Sequence, residues 1–141
     1  MLSAIHNTFG NPVEVLQAGE RPLPYPGEGE VRIRTLLSPI HNHDLWTVRG
    51  QYGYKPQLPA IGGSEAVGIV DALGEGVEGI AVGQRVAAAS VHGTWAEYFI
   101  APSLLVVPMP DAIPDQAAAQ LIAMPFSAIT LLDFLEVQSG D

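Results

Sequence analysis

The sequence predicts a mainly β domain of short strands, a barrel or a sandwich, followed by a helical C-terminal segment. Fifteen glycines and twelve prolines among 141 residues favour many turns and few long helices. Short stretches between these turn signals are rich in strand-forming residues, and residues 30–38 alternate apolar with charged side chains, as a half-buried strand does. From Asp115 the pattern changes to a run with strong helix propensity. The length suits one domain with a sizeable core.

The individual strands follow from this pattern. The predicted strands are two within residues 1–15, separated by a turn at 10–12, and then 30–38, 65–72, 84–90, 95–101 and 104–108. Residues 21–27 contain three prolines and are predicted to be an extended linker, because each proline disfavours helix at the residue before it. Residues 52–63 are predicted to be a loop.

Two helical regions are predicted. Residues 44–50 form a short helix that begins near Asn42 or His43 and ends at Gly50. The second region begins with Asp115 as its N-cap, is broken or kinked at Pro125, and resumes over residues 127–135. This last part is apolar on most sides, so it is expected to pack against something, and part of it to be exposed in this chain.

The composition indicates a folded acidic globule. Hydrophobic residues make up 48% and charged residues 15%, and the formal net charge is −9. Non-specific binding to nucleic acid or to an anionic membrane is therefore not expected. The chain has no cysteine, which excludes disulfides, thiolate zinc sites and thiol catalysis. With no basic-then-apolar N-terminal pattern and no apolar run of about 20 residues, a cytoplasmic protein is expected.

The stretch from residue 62 to residue 86 is the most specific part of the sequence. It begins Gly-Gly-Ser-Glu-Ala-Val-Gly-Ile-Val, continues through Gly74-Glu-Gly-Val-Glu-Gly79, and ends Gly-Gln-Arg-Val. The pattern closely resembles the GroES-like catalytic domain of medium-chain dehydrogenases and reductases. The resemblance implies a partly open, GroES-like β-barrel with short helices and a kinked C-terminal helix over residues 1–141. It also implies that a nucleotide-binding Rossmann domain would begin near residues 140–141 and is absent from this chain.

Two kinds of binding site that the sequence suggests at first sight, a phosphate-binding loop and a zinc site, are not expected to form. Residues 74–79 match G-x-G-x-x-G, but a strand follows instead of the helix that a phosphate-binding loop requires, so turns are expected there. In zinc-dependent members of the family, ligands occupy the positions of His41 and Ser64 and a position near Ala123. Only His41 offers a metal ligand here, and a zinc site needs about three. We therefore expect no bound metal.

The zinc-free branches fit the remaining motifs better. The loop Ile40-His-Asn-His-Asp44, followed by Gly50-Gln-Tyr52, resembles the Ile-Asn-Pro-Ser-Asp and Gly-Val-Tyr of 2-enoyl thioester reductases. Gly93-Thr-Trp95 and residues 124–129 resemble further motifs of that subfamily. The resemblance implies a zinc-independent, NADPH-dependent reductase of a small-molecule or acyl-thioester substrate, a homodimer at full length, and inactive without its cofactor domain. A quinone or alkenal reductase is the alternative enzyme, and a stand-alone GroES-like binding module is the alternative of another class.

The candidate site residues come from this resemblance and from two departures from it, since His41 replaces the asparagine of that loop and Asn42 replaces its proline. Tyr52 is expected to be catalytic, donating a hydrogen bond or a proton to the developing enolate, although a loop tyrosine over the barrel mouth and the neighbouring Tyr54 are competing interpretations. His41 is the second catalytic candidate, since an imidazole exchanges protons near neutral pH, or else a structural side chain. Asn42, His43 and Ser127 are expected to contact the cofactor, with a structural role as the alternative for His43 and a helix-start role after Pro125 as the alternative for Ser127. Further expectations are that Asp44 anchors its loop through backbone N–H groups, that Glu65 has an arginine or backbone partner, and that His92 is structural.

Overall fold

The chain folds into two antiparallel sheets with short helices at their margins, as seen in a computed structural model that describes residues 1–138 and 140. The strands are β1 Leu2–His6, β2 Gln17–Glu20, β3 Glu30–Leu37, β4 Ala60–Ile61, β5 Glu65–Leu73, β6 Arg85–Ala89, β7 Tyr98–Pro102 and β8 Val106–Pro108. The helices are α1 Pro12–Val15, α2 Asn42–Val48, α3 Asp115–Ala118 and α4 Ala123–Phe134, with a 3-10 turn at Ser103–Leu105.

The smaller sheet has the strand order β2-β1-β4, and the larger has the order β7-β3-β5-β6-β8. An isolated bridge between Ser3 and Ala96 connects the two sheets, and the Ala4 N–H donates to the Trp95 carbonyl over 2.8 Å nearby. The sheets therefore meet at the segment that precedes β7. The mainly β architecture predicted from the sequence is confirmed.

The larger sheet is buried on both of its faces. One face contributes Val31, Ile33 and Val70 to a core shared with Phe99. The opposite face packs Val67 and other apolar side chains against α3. The strand β5 is consequently mostly apolar and does not alternate regularly between apolar and polar residues, as expected for a strand covered on both faces of its sheet.

Residues 12–15 are helical, and the prediction of a second strand within residues 1–15 is wrong at this point. Pro12 occupies the first helical position, where its missing N–H costs nothing. The Asn11 side chain accepts a hydrogen bond from the Val13 N–H over 3.4 Å, as an N-cap does. The second strand, β2, begins two residues after this turn, at Gln17.

The helical C-terminal segment consists of two helices, interrupted at residues 119–122. Pro125 itself lies in the first turn of α4, where a missing N–H breaks no intrahelical bond, so the interruption precedes the proline instead of occurring at it. Asp115 is the first residue of α3 and not its N-cap, which is Pro114. Its carboxylate accepts from the Arg85 guanidinium over 2.6 Å instead.

No side chain of α4 is buried. Phe126 is 69% exposed and Phe134 is 82% exposed, which confirms the predicted exposure of an apolar helix. Within the described residues, no helix has the length and apolar character to cross a membrane. The predicted junction with a nucleotide-binding domain at residues 140–141 lies partly outside the described residues, since Asp141 is not among them.

Candidate functional site

A cavity of about 650 Å³ lies between α2 with its following loop, the end of β6 and the first turn of α4. This volume is in the range of small-molecule sites. The lining includes His43, Tyr52 and Tyr54 from α2 and its following loop, which form the Tyr52 wall, and Phe126 and Ser127 from α4, which form the α4 wall. The cavity thus contains three of the five residues predicted from the sequence to form the site.

Asp44 anchors the start of α2. One of its carboxylate oxygens accepts from the His41 N–H over 3.0 Å, and the other accepts from the Ser64 hydroxyl over 2.7 Å. The Asp44 side chain is 4% exposed, so these bonds are formed away from bulk water. The predicted role of Asp44 as a loop anchor is confirmed, and Ser64 is an additional partner that the sequence pattern did not indicate.

The imidazole of His43 is oriented by this same pair of residues. Its Nε2 lies 2.8 Å from the Ser64 hydroxyl. Because the single hydroxyl proton of Ser64 is donated to Asp44, the His43 Nε2–H must be the donor in this contact. The His43 ring also stacks on the Tyr52 ring, with centroids 5.7 Å apart. The network therefore holds His43 and Tyr52 side by side on one wall of the cavity.

His41 lies behind His43 and does not line the cavity. The two imidazole rings stack with centroids 5.1 Å apart, so the Tyr52, His43 and His41 rings form one continuous stack. At the edge of its ring, His41 Nε2 lies 2.6 Å from a carboxylate oxygen of Glu65. This position agrees with a structural or indirect role for His41, and direct proton donation by it stays a prediction.

Glu65 is fully buried and has the backbone partners that were expected of it. Its second oxygen accepts from the N–H groups of Ile122 and Ala123 over 2.9 and 3.0 Å. The side-chain partner is His41 and not an arginine. These contacts are what a buried carboxylate requires, since an unpaired one is strongly destabilising.

The remaining two candidates lie in different surroundings. Ser127 lines the cavity, and its hydroxyl donates to the Ala123 carbonyl one turn earlier in α4 over 2.7 Å. Asn42 is exposed and is not among the residues that line the cavity. Contact of either residue, or of His43, with a cofactor stays a prediction.

The pair of Tyr54 and His92 is a feature of the cavity that sequence reasoning missed. Their rings stack almost in parallel, 4.1 Å between centroids and 11° between planes, and both residues line the cavity. Burial lowers the pKa of His92 below its ordinary value of 6.5. No local pattern pointed to this pair, because β4, β5 and β6 lie between the two residues in the chain.

This lowered pKa predicts a pH dependence of stability. Below pH 6.5 the unfolded chain binds a proton at His92 more readily than the folded chain, so the free energy of unfolding falls as the pH falls through that value. His92→Phe retains a ring against Tyr54 and removes the titrating group. Urea unfolding at pH 7.5 and pH 5.5 is expected to show a smaller loss of stability in the variant than in the wild type. Equal losses would contradict the prediction.

The positions that hold zinc ligands in zinc-dependent relatives come together here around Glu65. Ser64 is bonded to Asp44 and His43, and Ala123 offers only its N–H, which is donated to the carboxylate. Among the described residues, no group of three or more histidine, cysteine or acidic side chains is arranged to hold a metal ion. Zinc independence stays a prediction, which activity measured in the presence of a zinc chelator would test.

Comparison with known proteins agrees with this architecture. The family model of the alcohol dehydrogenase GroES-like domain matches residues 27–111. The mitochondrial enoyl-[acyl-carrier-protein] reductases of rat and human are each 34% identical over 139 residues, covering 97% of this chain. The chain spans only 37% of the length of either protein.

Two solved structures that contain NADPH are also similar. A mycobacterial protein complexed with NADPH is 34% identical, with a TM-score of 0.92 over 100% of this chain and 44% of that one. Escherichia coli quinone oxidoreductase complexed with NADPH is 30% identical, with a TM-score of 0.87 over 94% of this chain and 40% of that one. These likenesses confirm the predicted GroES-like fold. The chain belongs to the alcohol dehydrogenase GroES-like domain family, within the medium-chain dehydrogenases and reductases.

Proposed function

We propose that this chain is the substrate-side domain of a zinc-independent, NADPH-dependent reductase that saturates the activated C=C bond of a 2-enoyl thioester. The observation that carries the proposal is the Tyr52 side chain, which lines the cavity and is 46% exposed while its ring rests on His43. Relatives named enoyl-[acyl-carrier-protein] reductase and a similar structure holding NADPH support it.

A cavity of about 650 Å³ with stacked rings in its lining would accommodate a flat cofactor ring beside a conjugated carbonyl. When bound, NADPH supplies a hydride for the β-carbon of the double bond. The π electrons of that bond then move toward the carbonyl, and negative charge develops on its oxygen. The Tyr52 hydroxyl would donate a hydrogen bond to this oxygen or deliver the proton that the α-carbon takes up. Ser64 and Asp44 would orient His43 so that the Tyr52 ring stays in place, and Ser127 would lie on the cofactor side.

A quinone or alkenal reductase is the second candidate, and the shape of the cavity favours it in one respect. The His43–Tyr52 and Tyr54–His92 stacks give the cavity flat ring faces that suit a planar conjugated ligand. None of the described residues that line the cavity is a lysine or arginine, so phosphate groups of an acyl carrier would have to be bound elsewhere. The similar Escherichia coli protein is named a quinone oxidoreductase.

The chain alone is proposed to be inactive because its glycine-rich segment offers no cofactor phosphate site. Gly76 and Gly79 adopt φ values of +75° in turns, and the chain then enters β6 instead of a helix. A nucleotide-binding domain would therefore supply most of the NADPH contacts. Dimerisation of the longer protein and a cytoplasmic location belong to the same proposal.

The proposal is tested by joining this chain to the C-terminal portion of a relative that contains the nucleotide-binding domain. NADPH oxidation is measured with crotonyl-CoA and with benzoquinone, for the chain alone and for the joined protein, with and without a zinc chelator. Turnover of crotonyl-CoA by the joined protein only, unchanged by chelation, is the expected result. Activity on benzoquinone alone would favour the second candidate, and loss on chelation would contradict zinc independence. A defined ring assembly of the chain without any turnover would favour the binding module.

A further inference from the structure

Glu65 connects two parts of the cavity wall that are remote in sequence. Its carboxylate contacts His41 on one side and the N–H groups of Ile122 and Ala123 on the other. The Glu65 carbonyl also accepts from the Ser38 hydroxyl over 2.7 Å. This fully buried side chain therefore has a fixed position and links α2 to the start of α4.

Each end of this link leads to residues of the cavity. On one side, His41 stacks on His43, and His43 stacks on Tyr52. At the other end, the N-terminal part of α4 contributes Phe126 and Ser127 to the lining of the cavity.

The start of α4 depends on this link for its position. The helix has no buried side chain, so little apolar packing holds it. Its first N–H groups have no partners within the helix, and a carboxylate beside them is favoured by the partial positive charge of a helix N-terminus. Glu65 supplies that carboxylate from the rigid strand β5.

We propose that Glu65 is a positioning residue that sets the distance between the Tyr52 wall and the α4 wall of the cavity. It acts through His41 on the ring stack and through Ile122 and Ala123 on α4. The catalytic part of this inference rests on the proposed function, whereas the structural coupling can be measured on the chain alone.

Two substitutions of Glu65 distinguish its contact with His41 from its contacts with α4. Glu65→Ala removes both. Glu65→Gln retains a carbonyl oxygen that can accept from Ile122 and Ala123, but it places an amide NH₂ group toward His41. His41 Nε2 must then accept instead of donate, which requires the other tautomer. Val70→Ala is the matched control, because it removes a buried side chain from the same strand on the opposite face of the sheet.

The first experiment is NMR spectroscopy of the 141-residue chain. In Glu65→Ala, amide hydrogen exchange at Ile122 and Ala123 is expected to accelerate about tenfold or more relative to the α2 amides, because hydrogen bonds to a charged group are lost. The Tyr52 ring signals are expected to shift as well. In Glu65→Gln, exchange at these two amides stays near the wild-type rate, and the His41 ring nitrogen signals move. Val70→Ala changes none of these signals selectively.

Unchanged exchange and unchanged Tyr52 signals in Glu65→Ala would overturn the proposal. If Glu65→Ala does not fold, Glu65→Gln decides, and unchanged His41 nitrogen signals in that variant would overturn it. The second experiment uses the joined reductase, in which Glu65→Ala is expected to lower kcat about tenfold and to change KM less than twofold, with recovery in Glu65→Gln. A wild-type protein without turnover would count against the proposed function, whereas the NMR result would still decide the coupling.

Discussion

Tyr52→Phe is expected to lower kcat/KM of the joined reductase for crotonyl-CoA by about a hundredfold, the factor typical for loss of one hydrogen-bond donor to a developing oxyanion. The substitution removes only the hydroxyl, so the ring remains available to stack on His43. Binding of NADPH, measured by fluorescence titration, is expected to change little. Steady-state kinetics of wild type and variant provide the measurement.

Tyr54→Phe is the matched control for this prediction. Tyr54 also lines the cavity, but its ring stacks on His92 and not on His43. We expect this variant to retain activity within about threefold of the wild type, since the substitution leaves the Tyr52 hydroxyl and the His43–Tyr52 stack in place. If Tyr54→Phe loses the activity and Tyr52→Phe keeps it, the hydroxyl donor is Tyr54 and Tyr52 is only part of the wall.

Gly63→Ala is expected to lower the free energy of unfolding by about 3 kcal/mol, through backbone strain together with overpacking. Gly63 has a φ of +91°, and an added Cβ would lie 2.8 Å from the Trp95 indole nitrogen and overlap the Thr94 hydroxyl. Neither neighbour moves easily, because Thr94 is fully buried and the Trp95 N–H donates to the Pro39 carbonyl over 3.0 Å. Urea unfolding followed by tryptophan fluorescence measures the change.

Gly76→Ala separates the two causes of this effect. Gly76 also has a positive φ, +75°, but no heavy atom lies within 4 Å of an added Cβ. Only the conformational cost remains, which is about 1 kcal/mol. A loss in Gly76→Ala as large as that in Gly63→Ala would show that the packing of Trp95 and Thr94 contributes nothing.

Much of the sheet was predictable because the relevant interactions are local or periodic. The alternation of Val31 and Ile33 with charged neighbours indicated β3, and both side chains lie in the core of the structure. The short helix α2 was indicated by the polar residues before it and by Gly50, whose φ of +72° favours glycine. The sequence also predicted that the glycine-rich segment forms turns and not a phosphate-binding loop, since a strand and not a helix follows it.

Elements near prolines were harder to place. The sequence around Pro12 predicts a turn between strands, whereas Pro12 begins a helical turn capped by Asn11. Pro125 predicts a break or kink in the C-terminal helix, whereas it lies in the first turn of α4. Proline restricts its own backbone and that of the preceding residue. These restrictions fit both the end of one helix and the first turn of the next, so they do not determine on which side of the proline a helix lies.

The sequence by itself determined the strands of the main sheet and the family, and it predicted a site near the loop from His41 to Tyr52. Only the tertiary structure decided that His41 lies behind His43, that Glu65 joins it to α4, and that Tyr54 meets His92. The physical reason is the range of the interactions. Helix and strand periodicity act between near neighbours in the chain, whereas the partners of a buried carboxylate or a stacked ring come from whichever strands and helices the fold brings together.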